Sequence, residues 1–323
     1  DPYIPRDYTQ FESMEWGVSD HHTLDCVVNV EGRIVRPVLT QFEDLRSGRI
    51  TGWWIDVIPN SLTILRALDM SIREVGAFEH LLLDNGADYK SEMLAGNEWK
   101  IRRQKGVFEE VEELVGGIFH ALGFQLHFTT PYRGQSKPIE RHFRSYIEMF
   151  EKDLPTYVGS NTAERPEDAK LYWANINGKG KKDVNFTIEE LREAYGKFVN
   201  WYNANHVIKG SGKNDTPNRV FEANWKVKRV VPDEYRRMVF TRQQERTVQR
   251  NGVQLDGVWY YAEELIEYKK GKVQVRRGFD DLSKVWIHDL EGRYICEAHS
   301  DVLVDVHITE ENIAAARRAK RKE

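Results

Sequence analysis

Hydrophobic positions between residues 16 and 58 fall into three clusters separated by turn signals. The clusters are WGVSDHHTLDCVVNV (16–30), RPVLTQFED (36–44) and RITGWWIDVI (49–58), with Glu31-Gly32 and Ser47-Gly48 between them. Runs rich in Val, Ile, Thr and aromatics, bounded by glycine turns, predict three consecutive strands. The period then changes. Leu62, Leu65, Leu68, Ile72 and Val75 share one face of a helix, and Asn60 or Ser61 can cap its first amides.

The stretch EHLLLDNGADYK (79–90) follows neither period. Three consecutive leucines bounded by an acid and turn residues predict a short strand buried on both faces. Asn85-Gly86 is a strong hairpin signal, yet ADYKSEMLAGNEWKIRR supplies no alternating second strand. Open α/β sheets place their chemistry at the carboxyl ends of parallel strands. Asp84, at such an end, is therefore a candidate site residue. Farther on, the pattern predicts a helix near 108–122, a short strand in FQLHFT and a helix from 138 to about 153. The Asn-, Gly- and Lys-rich stretch 155–185 reads as a long loop. TIEELREAYGKFVNWYNANH (187–206) reads as a helix in which Thr187 and Glu190 form a capping box.

From about residue 240 the texture turns to short strands: VWYYA, GKVQVRR, KVWIHDL and RYICEAHS. The expected fold is α/β, a ribonuclease H-like mixed sheet with flanking helices over residues 1–225. A basic linker (226–237), a small all-β barrel (238–305) and a basic C-terminal tail (306–323) follow it.

Composition narrows the class without changing the fold. With 323 residues, 30% charged and 40% hydrophobic, the chain has an ordinary globular make-up. No apolar run approaches the roughly 20 residues of a membrane span. Only Cys26 and Cys296 are present, far apart, which argues against a disulfide scaffold and for a reducing, cytoplasmic setting. Neither has the paired spacing of a zinc site. The chain opens on Asp1 with no signal-peptide pattern and reads as a piece of something longer. Net charge is −4, but it is unevenly spread. Residues 225–250 hold eight basic and three acidic residues, and 269–277 hold five basic residues and no acid. A basic second half suits a polyanion; solvated faces are the bland alternative.

Two further acids draw attention. Asp20 lies inside the first predicted strand, among Trp16, Val18, Cys26 and Val28, where a charge is costly without compensation. Glu140 falls in the first turn of the third predicted helix, after Pro138. It stands one step off the stripe Ile139, Phe143, Ile147 and Phe150. Acids gathered from three adjacent elements repel one another unless a cation neutralises them. Their oxygens suit Mg²⁺, with Mn²⁺ as substitute. Two such ions can activate the attacking oxygen and stabilise the leaving one in phosphoryl transfer.

The competing sites are weaker. His21, His22 and Asp25 suggest a transition-metal site, but adjacent strand residues point to opposite faces. Asp56 and Asp88 are less well placed. No serine-nucleophile motif or phosphate-cradling glycine loop is present. Lys137, Arg141 and Arg144, at offsets of zero, four and seven, share one helix face. They are candidate DNA contacts, together with Lys269, Lys270, Arg276 and Arg277.

LLLDNG around Asp84, RGQSKPIERHF around Glu140 and LEGRYICEA (290–298) carry a resemblance. The chain resembles the catalytic core of Mu-type phage transposases, in the DDE transposase and retroviral integrase superfamily, over about residues 10–305. The acid spacings are 84 − 20 = 64 and 140 − 84 = 56, the second close to Mu-type cores. The resemblance implies a polynucleotidyl transferase with two Mg²⁺ ions per site, Asp20 bridging them and Asp84 and Glu140 each holding one. It implies cleavage of the 3′ ends of a Mu-like element and transfer of those ends into target DNA. It further implies a homo-oligomer on paired DNA ends, with room for an accessory target-delivery protein, in a bacterial or phage-encoded, cytoplasmic and membrane-free setting. End-recognition modules are not evident before Asp1. A metal-dependent nuclease without strand transfer and a non-catalytic DNA-binding assembly protein remain open.

Overall fold

The computed structural model describes residues 7–84, 88–89, 117–128, 138–159, 166, 169–176, 183–208, 215–240, 242–255, 258–278 and 283–300. The chain divides into two compact units, Asp1–Val231 and Pro232–Glu323.

The first unit is built on five strands: β1 (Trp16–Thr23), β4 (Val38–Asp44), β5 (Ile50–Asp56), β6 (His80–Leu83) and β7 (Gln125–Phe128). Their order is β5-β4-β1-β6-β7. The first three strands in sequence pair antiparallel, whereas β6 pairs parallel with β1 and β7 parallel with β6. This is the ribonuclease H-like mixed sheet, with β1 at its centre.

The first predicted strand ran unbroken to residue 30; instead it is two. After Thr23 the chain leaves the ladder, because other acceptors take its amides. Leu24 N donates to Pro37 O (3.0 Å), Val27 N to Thr156 O (3.1 Å) and Asp25 N to a Glu151 carboxylate oxygen (2.6 Å). The remainder, β2 (Val28–Val30), pairs with β3 (Arg33–Val35). Glu31 (φ 49°) and Gly32 (φ 80°) both take the left-handed conformation, as a type I′ hairpin turn requires.

Helices cover both sheet faces. α1 (Ser61–Val75) starts at Asn60, whose side chain accepts from the amides of Leu62 and Thr63 while the Thr63 hydroxyl accepts from Asn60 N. It lies directly on β5. A Cβ at Gly52 would stand 2.1 Å from Ala67 O, so only glycine permits that approach. The opposite face carries α3 (Pro138–Met149) and α5 (Ile188–Asn205), while a short helix, α2 (Ile118–Ala121), precedes β7. Neighbouring residues on β4 report the two sides: the Thr40 hydroxyl reaches Thr63 of α1, while the Gln41 amide reaches Tyr146 of α3. Ile139, Phe143 and Phe150 from the predicted stripe, joined by Tyr146, pack with Val18 and with Leu191, Tyr195 and Phe198 of α5. Past α3 the chain tightens into a 3₁₀ turn, Glu151–Asp153.

Two helices of this unit stand where none was expected. α4 (Ala169–Ile176) interrupts the predicted 155–185 loop. Ala169 and Tyr172 share a small core with Val27, Val158 and Val184, and polar flanks hide that short apolar stretch in the sequence. α6 (Pro217–Asn224) is capped by the Thr216 hydroxyl and opens on proline. Of the helix predicted near 108–122, residues 108–116 lie outside the described residues.

The second unit begins with α7 (Asp233–Val239) and continues as strands. β8 (Arg242–Thr247), β11 (Lys272–Arg277), β12 (Lys284–His288) and β13 (Tyr294–His299) form an antiparallel sheet in the order β13-β12-β11-β8. β9 (Val253–Leu255) and β10 (Val258–Tyr260) form a two-stranded ladder, tied to β13 through Tyr261 and His299. Val253, Val258, Tyr260, Val273, Val275, Val285 and Ile287 meet in one core. This unit is β-rich.

Candidate active site

The β1–β6 register places the first two acids. Trp16 pairs with His80, Gly17 with Leu81 and Val18 with Leu82, a constant offset of 64 residues. Asp20 and Asp84 are separated by the same 64. Asp84 follows directly on β6, so the register carries it alongside Asp20 on a neighbouring strand, roughly 4.8 Å away in a regular sheet. Asp20, two residues beyond Val18 within β1, projects from the same side of the sheet as Val18. That side is the one covered by α3. Asp20 is 8% exposed and accepts from His21 N at 2.9 Å.

Glu140 lies in the first turn of α3, next to Ile139, which is buried in the same core as Val18. The side chains of Glu140 and Arg141, and all of Lys137, lie outside the described residues. The helix that carries Glu140 is firmly seated. Phe143 stacks on His22 of β1 (ring centroids 4.9 Å apart), His142 Nδ1 meets Glu43 Oε2 at 2.5 Å, and the Tyr146 hydroxyl donates to Glu43 Oε1 at 2.8 Å.

Those contacts expose two acids that the sequence reading missed. Glu43 is 1% exposed and also accepts from Gln41 Nε2 at 2.6 Å. Gln41 in turn accepts a hydrogen bond from Tyr195. Burial, and then the Glu43 charge, push the Tyr146 and Tyr195 phenols well above their usual range. Glu151, wholly buried, meets His22 Nε2 at 2.7 Å and accepts from Asp25 N. Asp25 pairs with Arg36; burial and the nearby Glu151 charge nonetheless raise its pKa above the ordinary carboxylate value. A signal for Glu43 existed: Gln41 and Glu43 hold the same strand phase as core residue Leu39, where apolar residues are expected.

The histidine alternative is divided by the sheet. His21 Nδ1 bonds Thr40 Oγ1 (2.9 Å) on the α1 side, whereas His22 turns to Glu151. Asp56 holds Arg66. Among the described residues, no group of three or more His, Cys, Asp or Glu is close enough to hold a metal; the Glu140 side chain is not among them. Carboxylate oxygens such as those of Asp20, Asp84 and Glu140 suit a hard divalent cation such as Mg²⁺.

The basic candidates are differently placed. Arg144, Lys269 and Lys270 are exposed, Arg276 is half-buried, and Arg277 is 6% exposed. Arg277 shares its strand phase with the buried Val273 and Val275, so its guanidinium is not presented at the surface. No described helix is long and apolar enough to cross a membrane.

Two family models match the chain. One described as bacteriophage Mu transposase covers residues 8–226, and one described as Mu transposase, C-terminal, covers 237–297. The chain is 27% identical over 321 residues to Mu-like prophage FluMu transposase A of Haemophilus influenzae, a match covering 92% of this chain. It spans 45% of that relative's length. Among solved structures, a simian T-cell lymphotropic virus intasome in complex with a PP2A regulatory subunit aligns over 91% of this chain and 82% of its own (12% identity, TM-score 0.42). The HTLV-2 integrase catalytic core domain in complex with magnesium aligns over 65% of this chain and 97% of its own (12% identity, TM-score 0.36).

Proposed function

The chain belongs to the bacteriophage Mu transposase family, and on that premise we propose that it is the catalytic part of a DNA transposase. It cuts the 3′ ends of a Mu-like element and transfers them into target DNA. One observation carries the site assignment: the β1–β6 register of 64 is also the separation of Asp20 and Asp84. That register supports a site in which Asp20 and Asp84 meet, with Glu140 contributed by α3.

Asp20, Asp84 and Glu140 would hold divalent metal, which when bound supplies charge neutralisation and activation of the attacking oxygen. The protein's own part is placement. β1 holds Asp20 in its ladder with β4, and Asp84 follows directly on β6. The Glu43 and His22 contacts fix the helix that bears Glu140. Water first, and then a DNA 3′ hydroxyl, present the same kind of nucleophile to the same phosphodiester geometry, so one site serves both steps. Exposed Arg144, Lys269 and Lys270 supply phosphate contacts that position DNA without reading its sequence. Assembly as a multimer on paired ends, with an accessory protein delivering the target, belongs to the same reading.

The test is to incubate the protein with Mg²⁺, an element-end duplex and target DNA, and to resolve the products. Joined products that disappear in Asp84→Asn are expected. Cleaved ends without joining would instead assign a nuclease. Unchanged DNA, with binding retained, would assign an assembly protein.

A further inference from the structure

Five residues beyond Asp84, the Tyr89 side chain is fully buried, at 0% exposed. Its hydroxyl lies 2.8 Å from Ser19 Oγ, and its ring meets the His21 ring with centroids 4.9 Å apart. Ser19 and His21 are the residues on either side of Asp20. Strand alternation sends their side chains to the α1 face and that of Asp20 to the other. His21 is itself held on the α1 face by Thr40, which bonds Thr63 of α1. Beside Tyr89, the Asp88 carbonyl accepts a hydrogen bond from Ser61 at the start of α1. Tyr89 thus meets β1 at both neighbours of Asp20.

We propose that Tyr89 is a positioning residue that locks the chain after Asp84 onto β1 and so holds the Asp84 carboxylate beside that of Asp20. The proposal rests on the reading of these two acids as metal ligands. Asp20 is held inside the β1–β4 ladder opposite Gln41, but the β1–β6 ladder ends at Leu82 and the β6–β7 ladder at Leu83, so Asp84 lies past the last sheet pairing of its strand. Tyr89 supplies a clamp at that level from the opposite face. Electrostatics agree with this proximity: after burial, the charge of Asp20 is the largest influence raising the Tyr89 phenol, and Asp84 adds to it.

The experiment measures Mn²⁺ binding by the metal-free protein, using calorimetry or the electron paramagnetic resonance of free Mn²⁺. Five proteins are compared with the parent: Asp20→Asn, Tyr89→Phe, Ser19→Ala, the Tyr89→Phe/Ser19→Ala double variant, and Phe221→Leu. The last lowers stability on α6 without touching this region. Tyr89→Phe keeps the ring and removes the hydroxyl, so folding is preserved. Weakening by about threefold or more is expected in Tyr89→Phe and in Ser19→Ala, in line with the loss of one buried hydrogen bond. The double variant should be no weaker than the poorer single one, because the two groups act through each other. Phe221→Leu should bind Mn²⁺ as the parent does despite a lower Tm. Parental affinity in Tyr89→Phe and Ser19→Ala, or strictly additive losses, would overturn the proposal while leaving the metal site standing, provided Asp20→Asn has lost binding. A parent that binds no better than Asp20→Asn would overturn both.

Discussion

Glu43 and Glu151 are buried beside the same face of the central sheet as Asp20, yet their surroundings are of a different kind. Glu43 is met by the Tyr146 hydroxyl, the Gln41 amide and His142; Glu151 is met by the Asp25 amide and His22. At the β1 and β6 ends the register instead sets one aspartate beside another. A carboxylate matched to protein donors stabilises the fold and anchors α3. Carboxylates set against each other repel, and such an arrangement makes physical sense where a cation completes it. Burial alone therefore does not mark a functional acid. What sets Asp20 apart is the second aspartate, Asp84, that the β1–β6 register brings toward it.

Substitutions at the two kinds of acid should break this comparison if it is wrong. Glu151→Ala leaves the Asp25 amide and His22 without their buried acceptor and should cost about 2–6 kcal/mol in denaturant unfolding, about 1–3 kcal/mol for each buried group left unsatisfied. Asp20→Asn, which lowers the charge between neighbouring acids, should be close to neutral or slightly stabilising without metal. Equal losses at the two positions would dissolve the distinction. A smaller effect is expected for Glu43→Gln. It keeps the shape but cannot accept from Tyr146, Gln41 and His142 together, and a loss of about 1–3 kcal/mol should appear in the same assay.

Asp44 sharpens the comparison from a third side. It is fully buried at the end of β4 and accepts from the amides of Met14 and Ser47 and from the Ser47 hydroxyl. Burial nevertheless raises its pKa to about 6. A carboxyl whose folded value exceeds its unfolded one keeps its proton in the native state after the unfolded chain has lost it. Its contribution to stability therefore falls as pH rises from about 4 to about 6 and is level above that, with a slope of at most about 1.4 kcal/mol per pH unit. The parent minus Asp44→Asn difference in unfolding free energy should follow that course; a flat difference would refute the assignment. The smallest effect concerns exposed Arg144. Arg144→Ala should weaken DNA binding modestly and lower its logarithmic salt dependence by about one unit. An unchanged slope would remove it from the DNA-facing surface.

Much of the first unit was legible in the residues because local chemistry and tertiary structure agree there. Asn60 caps α1, Thr187 and Glu190 cap α5, and Glu31-Gly32 turns a hairpin. The three leucines mark a strand with neighbours on both edges. The break after Thr23 was hidden because the amides of Leu24, Asp25 and Val27 are taken by partners from 13 to 129 residues away, and no local pattern encodes such partners. Tyr89 was invisible for the same reason: its stretch has no period, and its buried state depends on Ser19 and His21. At the site, the aspartates could be nominated from the strand positions of Asp20 and Asp84, but their alignment required the register. Glu140 could be placed on its helix, but the seating of that helix on Glu43 through His142 and Tyr146 required the packed sheet.

The central claim is that Asp20, Asp84 and Glu140 form one site serving both DNA cleavage and DNA joining. Glu140→Gln tests it most directly, because it preserves size and hydrogen-bonding capacity while removing the charge that would hold a metal. Tm and DNA affinity should stay close to those of the parent. Cleavage and joining in Mg²⁺ should fall together by orders of magnitude, since metal ions supply several kcal/mol of transition-state stabilisation. Joined product formed by Glu140→Gln at the parental rate would contradict the account.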